Sequence, residues 1–205
     1  MALITDYSTL VTATTDTLNR SDLSAFVPNY LQAAQSKLYK NLRIRAMETA
    51  LNPTSASGVA AIPATFLELK FAYVNTTPVN MIKRTSAQQI YTQYPDRTVS
   101  TTRPVLIATE GTNFIFGGVP SDGVNIKGIY YARLTLLSGS NTTNWFITDA
   151  PDVLLYGALL EAEPFIGADE RALTWKALYD LGVQAIIDEE KRQQASGGGL
   201  QTVVG

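Results

Sequence analysis

The side chains of this 205-residue chain that could do chemistry are acids, bases and hydroxyls, because it contains no histidine and no cysteine. Without His, the usual side-chain general base and the commonest metal ligand are missing. Without Cys there is no disulfide, no thiolate metal site and no thiol nucleophile. Ser-His-Asp, Cys-His and zinc-hydrolase chemistries are thereby excluded. Paired carboxylates remain as an acid/base option, at Glu161/Glu163, Asp169/Glu170 and Glu189/Glu190. Neighbours one or two residues apart on a helix point in different directions, so these pairs are expected to be solvated faces and caps. Nothing matches a P-loop, a dinucleotide fingerprint, a Ser-x-x-Lys motif or a nucleophile elbow. Gly197-Gly198-Gly199 has no helix after it and reads as a linker. The expected catalytic, metal and cofactor-binding residues are therefore none.

Binding chemistry has more candidates. Lys37, Lys40, Arg43 and Arg45, with Tyr39 among them, form the one basic cluster. It suits phosphates lining a DNA channel, acids on a partner, or solvent. The pairs Tyr130-Tyr131 and Phe114/Phe116 could stack bases or sugars. Strand alternation instead assigns the inward member of each pair to core or to an oligomer contact. The terminal Leu200, Gln201, Thr202, Val203 and Val204 follow the glycine linker. Such a segment cannot bury its apolar side chains locally and suits addition to a partner's sheet edge or groove. The net charge of −2 and a pI near 5.2 do not suggest a nucleic-acid binder. Charge is uneven, with ten acids and four bases in residues 149–205. That asymmetry could orient subunits.

The elements that must position these residues fall into three zones. In the first, Tyr7, Leu10, Val11, Thr14 and Leu18 repeat at helical spacing, with Thr5 expected to cap the first turn. Asn19-Arg20-Ser21-Asp22 breaks that helix. A second helix carries Pro28 near its start and an apolar face of Val27, Leu31, Ala34, Leu38 and Leu42. The middle zone is rich in Pro, Gly, Thr and Asn, with short apolar runs at 66–74, 105–108, 113–116 and 128–134 that read as strands. Gly111-Thr112 reads as a hairpin turn, Pro120–Gly123 as another turn, and Ser86–Tyr94 as a short helix ended by Pro95. In the third zone Asp149 is expected to cap a helix that Pro164 and Gly167 close. Its Val153–Ala162 stretch is apolar on nearly every face, so it is buried all round or shared between copies. Val153, Leu154, Tyr156 and Leu160 are the expected subunit-interface residues. Asp169 can cap a last helix with a stripe of Leu173, Ala177, Leu181 and Ala185, widened by Leu178 and Ile186.

The expected fold is α+β. Residues 1–48 and 149–195 form one helical bundle, 49–148 an inserted antiparallel β lobe (a small sandwich or barrel), and 196–205 a flexible tail. Met1–Asp6 lacks the basic and apolar regions of a signal peptide, and no run reaches membrane-spanning length.

These residues resemble a known family. The run Asn19-Arg20-Ser21-Asp22-Leu23 leads to Val27-Pro28-Asn29-Tyr30-Leu31 and Ala33-Ala34-Gln35-Ser36-Lys37-Leu38. Leu42-Arg43-Ile44-Arg45-Ala46-Met47-Glu48 and Ile62-Pro63-Ala64-Thr65-Phe66-Leu67-Glu68-Leu69 follow, then Pro151–Leu159, Asp169-Glu170-Arg171 and Trp175. In that order they are similar to the head-to-tail adaptor (connector) proteins of tailed bacteriophages, especially short-tailed ones. The resemblance covers both helical zones and the start of the β zone, and is not carried into 75–148. It implies a virion protein of the neck, made in the host cytoplasm, with no enzymatic activity. It implies a homo-oligomeric ring, usually of twelve copies, bound beneath the portal protein and joined to a tail protein (nozzle or tail tube). DNA would pass only as cargo, no membrane is involved, and the C-terminal segment would reach along the portal. Alternatives are another neck or tail-completion protein, a sugar-binding β module, or a cell-wall hydrolase using carboxylates such as Glu68 or Glu110.

Overall fold

Six helices and a curled seven-strand mixed sheet make up the described residues of the computed structural model, which are 3–167 and 169–196, with side chains through 193. The fold is α+β. The chain divides into a helical unit, which runs up to Ala46 and resumes at Leu134, and a β unit, Met47–Arg133.

In the helical unit, α1 (Tyr7–Leu18) is rich in threonine, and the hydroxyls of Thr12, Thr14, Thr15 and Thr17 each donate to the carbonyl four residues back. This local bonding lowers helix propensity, and the helix is held by its cap and by packing. Asp6, not Thr5, is the N-cap. Its Oδ1 accepts the Thr9 N–H at 2.8 Å while Thr9 Oγ1 accepts the Asp6 N–H at 3.0 Å, a reciprocal capping box. α2 (Val27–Asn41) has Pro28 in its first turn and buries the expected face of Val27, Leu31, Ala34 and Leu38, with Leu42 just beyond it. Gln35, also fully buried, accepts the Leu137 N–H at 2.8 Å through Oε1 and donates to the Leu31 carbonyl at 3.2 Å. This ties α2 to the chain that returns from the β unit.

Seven strands of the β unit form two antiparallel runs, one of four strands and one of three. β1 (Glu48–Leu51) pairs with β9 (Ile126–Ala132), β9 with β3 (Phe66–Val74), and β3 with β4 (Asn80–Arg84); β6 (Leu106–Glu110) pairs with β7 (Asn113–Gly117), and β7 with β2 (Val59–Ala61). The expectation of an all-antiparallel lobe is corrected where β4 meets β6, a short parallel pairing at Lys83–Leu106 and Arg84–Ile107. A parallel neighbour needs a crossover, and α3 (Ala87–Gln93) supplies it, with Ser86 accepting the Gln89 N–H as its cap. β5 (Ser100–Thr101) and β8 (Val119–Pro120) form a separate parallel pair. Gly111, with φ +56°, turns β6 into β7 as anticipated. Phe114, Phe116, Ile107, Ile126, Leu51 and Tyr130 fill the concave face.

Asn144 caps α4 (Trp145–Asp149), a short helix not expected from spacing. Asp149 ends that helix instead of capping the next. α5 (Pro151–Ile166) starts after Ala150, which offers no side-chain cap. Pro164 does not close α5 but lies within it, and Gly167, at φ +76°, follows its end. α6 (Arg171–Ser196) packs along α5, and α5 also meets α1 and α2, so the terminal helices form one bundle. Two small residues set the spacing. A β-carbon on Gly157 would meet Ala34 and the Tyr179 ring, each at 3.2 Å, and one on Gly182 would meet Val153 at 2.6 Å.

Candidate functional site

Basic residues of the α2 region have partners within the helical unit. Lys37 Nζ reaches Glu161 Oε1 on α5 at 2.5 Å. Arg43 Nη1 donates to the Leu42 carbonyl at 2.8 Å and the Tyr39 carbonyl at 3.1 Å, closing the C-terminal end of α2. A cation there complements the negative helix end. The Arg45 N–H donates to Glu190 and its Nη1 to Gln193, both at 3.0 Å, which fastens the end of the α2 segment to α6. Lys40 is exposed in the last turn of α2. Three of the four are thus engaged within the helical unit.

The carboxylates converge at one place that spacing along a helix does not reveal. Asp149, Glu189 and Glu190 line a pocket of about 170 Å³ with Arg45, Gln193 and Trp145. No group of three or more acids among the described residues has metal-binding geometry. Glu68 is held by Arg84 at 3.4 Å beside a cleft of about 250 Å³ between β3 and β6. Glu110 accepts the Tyr91 hydroxyl at 2.9 Å, and this bond holds the phenol above its ordinary pKa. Each residue on which a hydrolase reading would depend therefore has a local partner.

On α5, Val153 and Leu154 are buried in the unit's own core, whereas Tyr156 and Leu160 are half-buried. Leu160 borders a pocket of about 240 Å³ between α2, α5 and α6. Tyr179 lines the same pocket, and burial, with Glu161 and Asp180 nearby, pushes its phenol up. Phe114 and Phe116, two apart on β7, both point into the core, as does Tyr130; Tyr131 points outward and lies beneath Lys70. Leu200, Gln201, Thr202, Val203 and Val204 lie outside the described residues.

The apolar surface lies elsewhere. Leu173 and Leu181 on α6 are 80% and 67% exposed, and Ala177 and Ala185 between and beyond them are exposed too. The core side of α6 is instead Trp175 and Ile186. Its stripe was readable from spacing. Its outward direction was not, because α6 carries apolar residues on both sides, and Trp175, Ile186 and the close approach of Gly182 to Val153 mark the inner one.

The described residues thus combine a helical bundle, an inserted sheet and an exposed apolar line on α6. The family model described as SU10 adaptor protein matches residues 5–202. The chain belongs to this family. The adaptor is thus of the phage adaptor type and a virion component, and membership suggests a structural, non-enzymatic role. No curated protein matches it. Among the described residues, no helix of the adaptor is long and apolar enough to cross a membrane.

Proposed function

We propose that this adaptor assembles as a ring of twelve copies, docks on the portal and joins the capsid to the tail of a short-tailed phage, leaving a channel for DNA. The carrying observation is the outward apolar face of α6 in a chain of this family. Large Leu side chains left in water each forgo about 1.5–3 kcal/mol of burial, and a neighbouring copy can supply it. A closed ring needs a heterologous contact in which two different patches meet. The half-buried Tyr156 and Leu160 contribute to the same assembly. Lys40, exposed in the last turn of α2 and without an acid paired to it among the described residues, is available to a partner or to passing DNA. Residues 200–204, which lie outside the described residues, are the proposed portal-binding segment.

Electron microscopy of the purified chain with purified portal tests this reading. Rings seated on the portal are the expected result. A chain that neither forms rings nor binds the portal overturns it.

A further inference from the structure

The sheet of the β unit has a second uncovered surface. Along β9, Ile126, Gly128, Tyr130 and Ala132 are buried and Lys127, Ile129 and Tyr131 are half-exposed. Cross-strand partners share a face, so Phe71 stands with Ile129, and Tyr73 with Lys127 and Met81. The Phe71 and Tyr73 rings stack at 6.3 Å, and Met81 is 57% exposed. Within the β unit, α3 packs on β6 and β7 through Ile90, Ala108 and Ile115, leaving the outer face of β1, β9, β3 and β4 without a helix. Lys83 and Lys127 rim this face with no acid paired to them among the described residues.

The α6 face has the complementary make-up. Its apolar line is Leu173, Ala177 and Leu181. Of its four bases, three have an acid beside them: Arg171 has Asp169 at 2.7 Å, Lys176 has Asp180 at 2.6 Å and Lys191 has Asp188 at 3.7 Å; the fourth, Arg192, donates to the Asp188 carbonyl, so six acids face four bases over residues 169–193. Glu170 and Glu189 are exposed with no cation paired to them among the described residues. One face is thus aromatic with surplus positive charge, the other aliphatic with surplus negative charge.

We infer that the outer face of β1, β9, β3 and β4 receives the α6 face of a second copy. The contact rests on the ring reading above and names its two patches. Because the patches differ, it is head-to-tail and propagates around a ring. Opposed charge at the rims fixes the register and disfavours a face meeting its own like.

The absence of cysteine makes the test clean. Met81→Cys and Leu181→Cys variants are purified separately, mixed, and treated with a short bismaleimide. The mixture is expected to yield a cross-linked dimer, and neither variant alone to do so. Leu181→Cys cross-linking to itself overturns the inference in favour of a two-fold contact. No cross-link at any concentration overturns it as well. Electron microscopy of the same samples separates the two levels: rings without the cross-link sink this pair of faces and leave the ring reading standing. In parallel, Lys83→Glu with Lys127→Glu is expected to raise the concentration needed for assembly about tenfold. Adding Glu170→Lys and Glu189→Lys is expected to restore it. An unchanged assembly concentration in the first variant overturns the inference.

Discussion

Gln35 shows what a single residue does here and why its role escapes a sequence reading. It sits among the small and apolar residues of α2 as an ordinary polar position, yet it is wholly buried and holds the Leu137 amide. Its partner lies 102 residues away, so no local pattern could show it. Gln35→Leu is expected to strand that N–H in the core and cost about 1–3 kcal/mol in urea unfolding. Gly128 is a second such position. A β-carbon there would strike the Phe71 carbonyl and come within 2.9 Å of the Ala72 Cα across the strand pair. Backbone cannot yield as a side chain can, so Gly128→Ala is expected to lower the melting temperature of the β unit markedly. Three carboxylates also tie stability to pH. Asp6 is held below its ordinary value by the Thr9 amide and hydroxyl, Asp96 by the Thr98 hydroxyl and amide, and Asp169 by the Arg171 guanidinium and amide. Lowered folded values mean that these bonds stabilise the chain above the ordinary carboxylate range and are lost as pH falls through the lowered values. A melting temperature that drops below about pH 4 is the expected outcome, with a shallower drop in Asp169→Asn.

At the scale of elements, α5 and α6 divide the bundle's work. α5 is buried on most of its surface, with Val153, Leu154, Leu155, Ala158 and Leu159 all inside. Leu154→Ala is expected to cost about 2–5 kcal/mol in chemical denaturation, because four helices cannot all close on the cavity. Leu181→Ala, on the outer side of α6, is expected to leave the unfolding midpoint of the lone chain within about 0.5 kcal/mol. The contrast between the two variants tests which helix is core and which is surface. Here the sequence was partly legible. The all-round apolar run of α5 announced burial, and the face of α2 came out residue by residue. The stripe of α6 was visible, but periodicity reports that a helix has faces, not which one meets the core. Capping was the least legible. Asp6 displaced Thr5 because its carboxylate and Thr9 complete a reciprocal pair, and Asp149 went to the end of α4, an element too short to carry a period.

The whole molecule is α+β, with five of its six described helices before and after the strand-rich segment and α3 inside it, and that order was readable from apolar spacing together with the change of composition in the middle zone. The parallel pairing of β4 with β6 was not, since strand runs carry no sign of direction and the crossover helix is only seven residues long. The basic cluster was legible as a cluster in sequence. Folding pairs Lys37 with Glu161 on α5 and Arg45 with Glu190 and Gln193 on α6, contacts that the local sequence does not show. Deleting residues 197–205 is expected to leave the melting temperature unchanged and to weaken binding to the portal, measured by co-sedimentation. Undiminished binding would remove the tail from the docking scheme.

The rims of the sheet bear on how such a chain survives before it is used. Its two edge strands, β1 and β2, span four and three residues. Edges this short offer little template for a stray chain to zip onto. Apolar side chains can therefore stand exposed on a helix and on the outer side of a curled sheet while the backbone edges stay short. Stickiness is confined to surfaces that recognise shape, and kept away from backbone that would accept any comer.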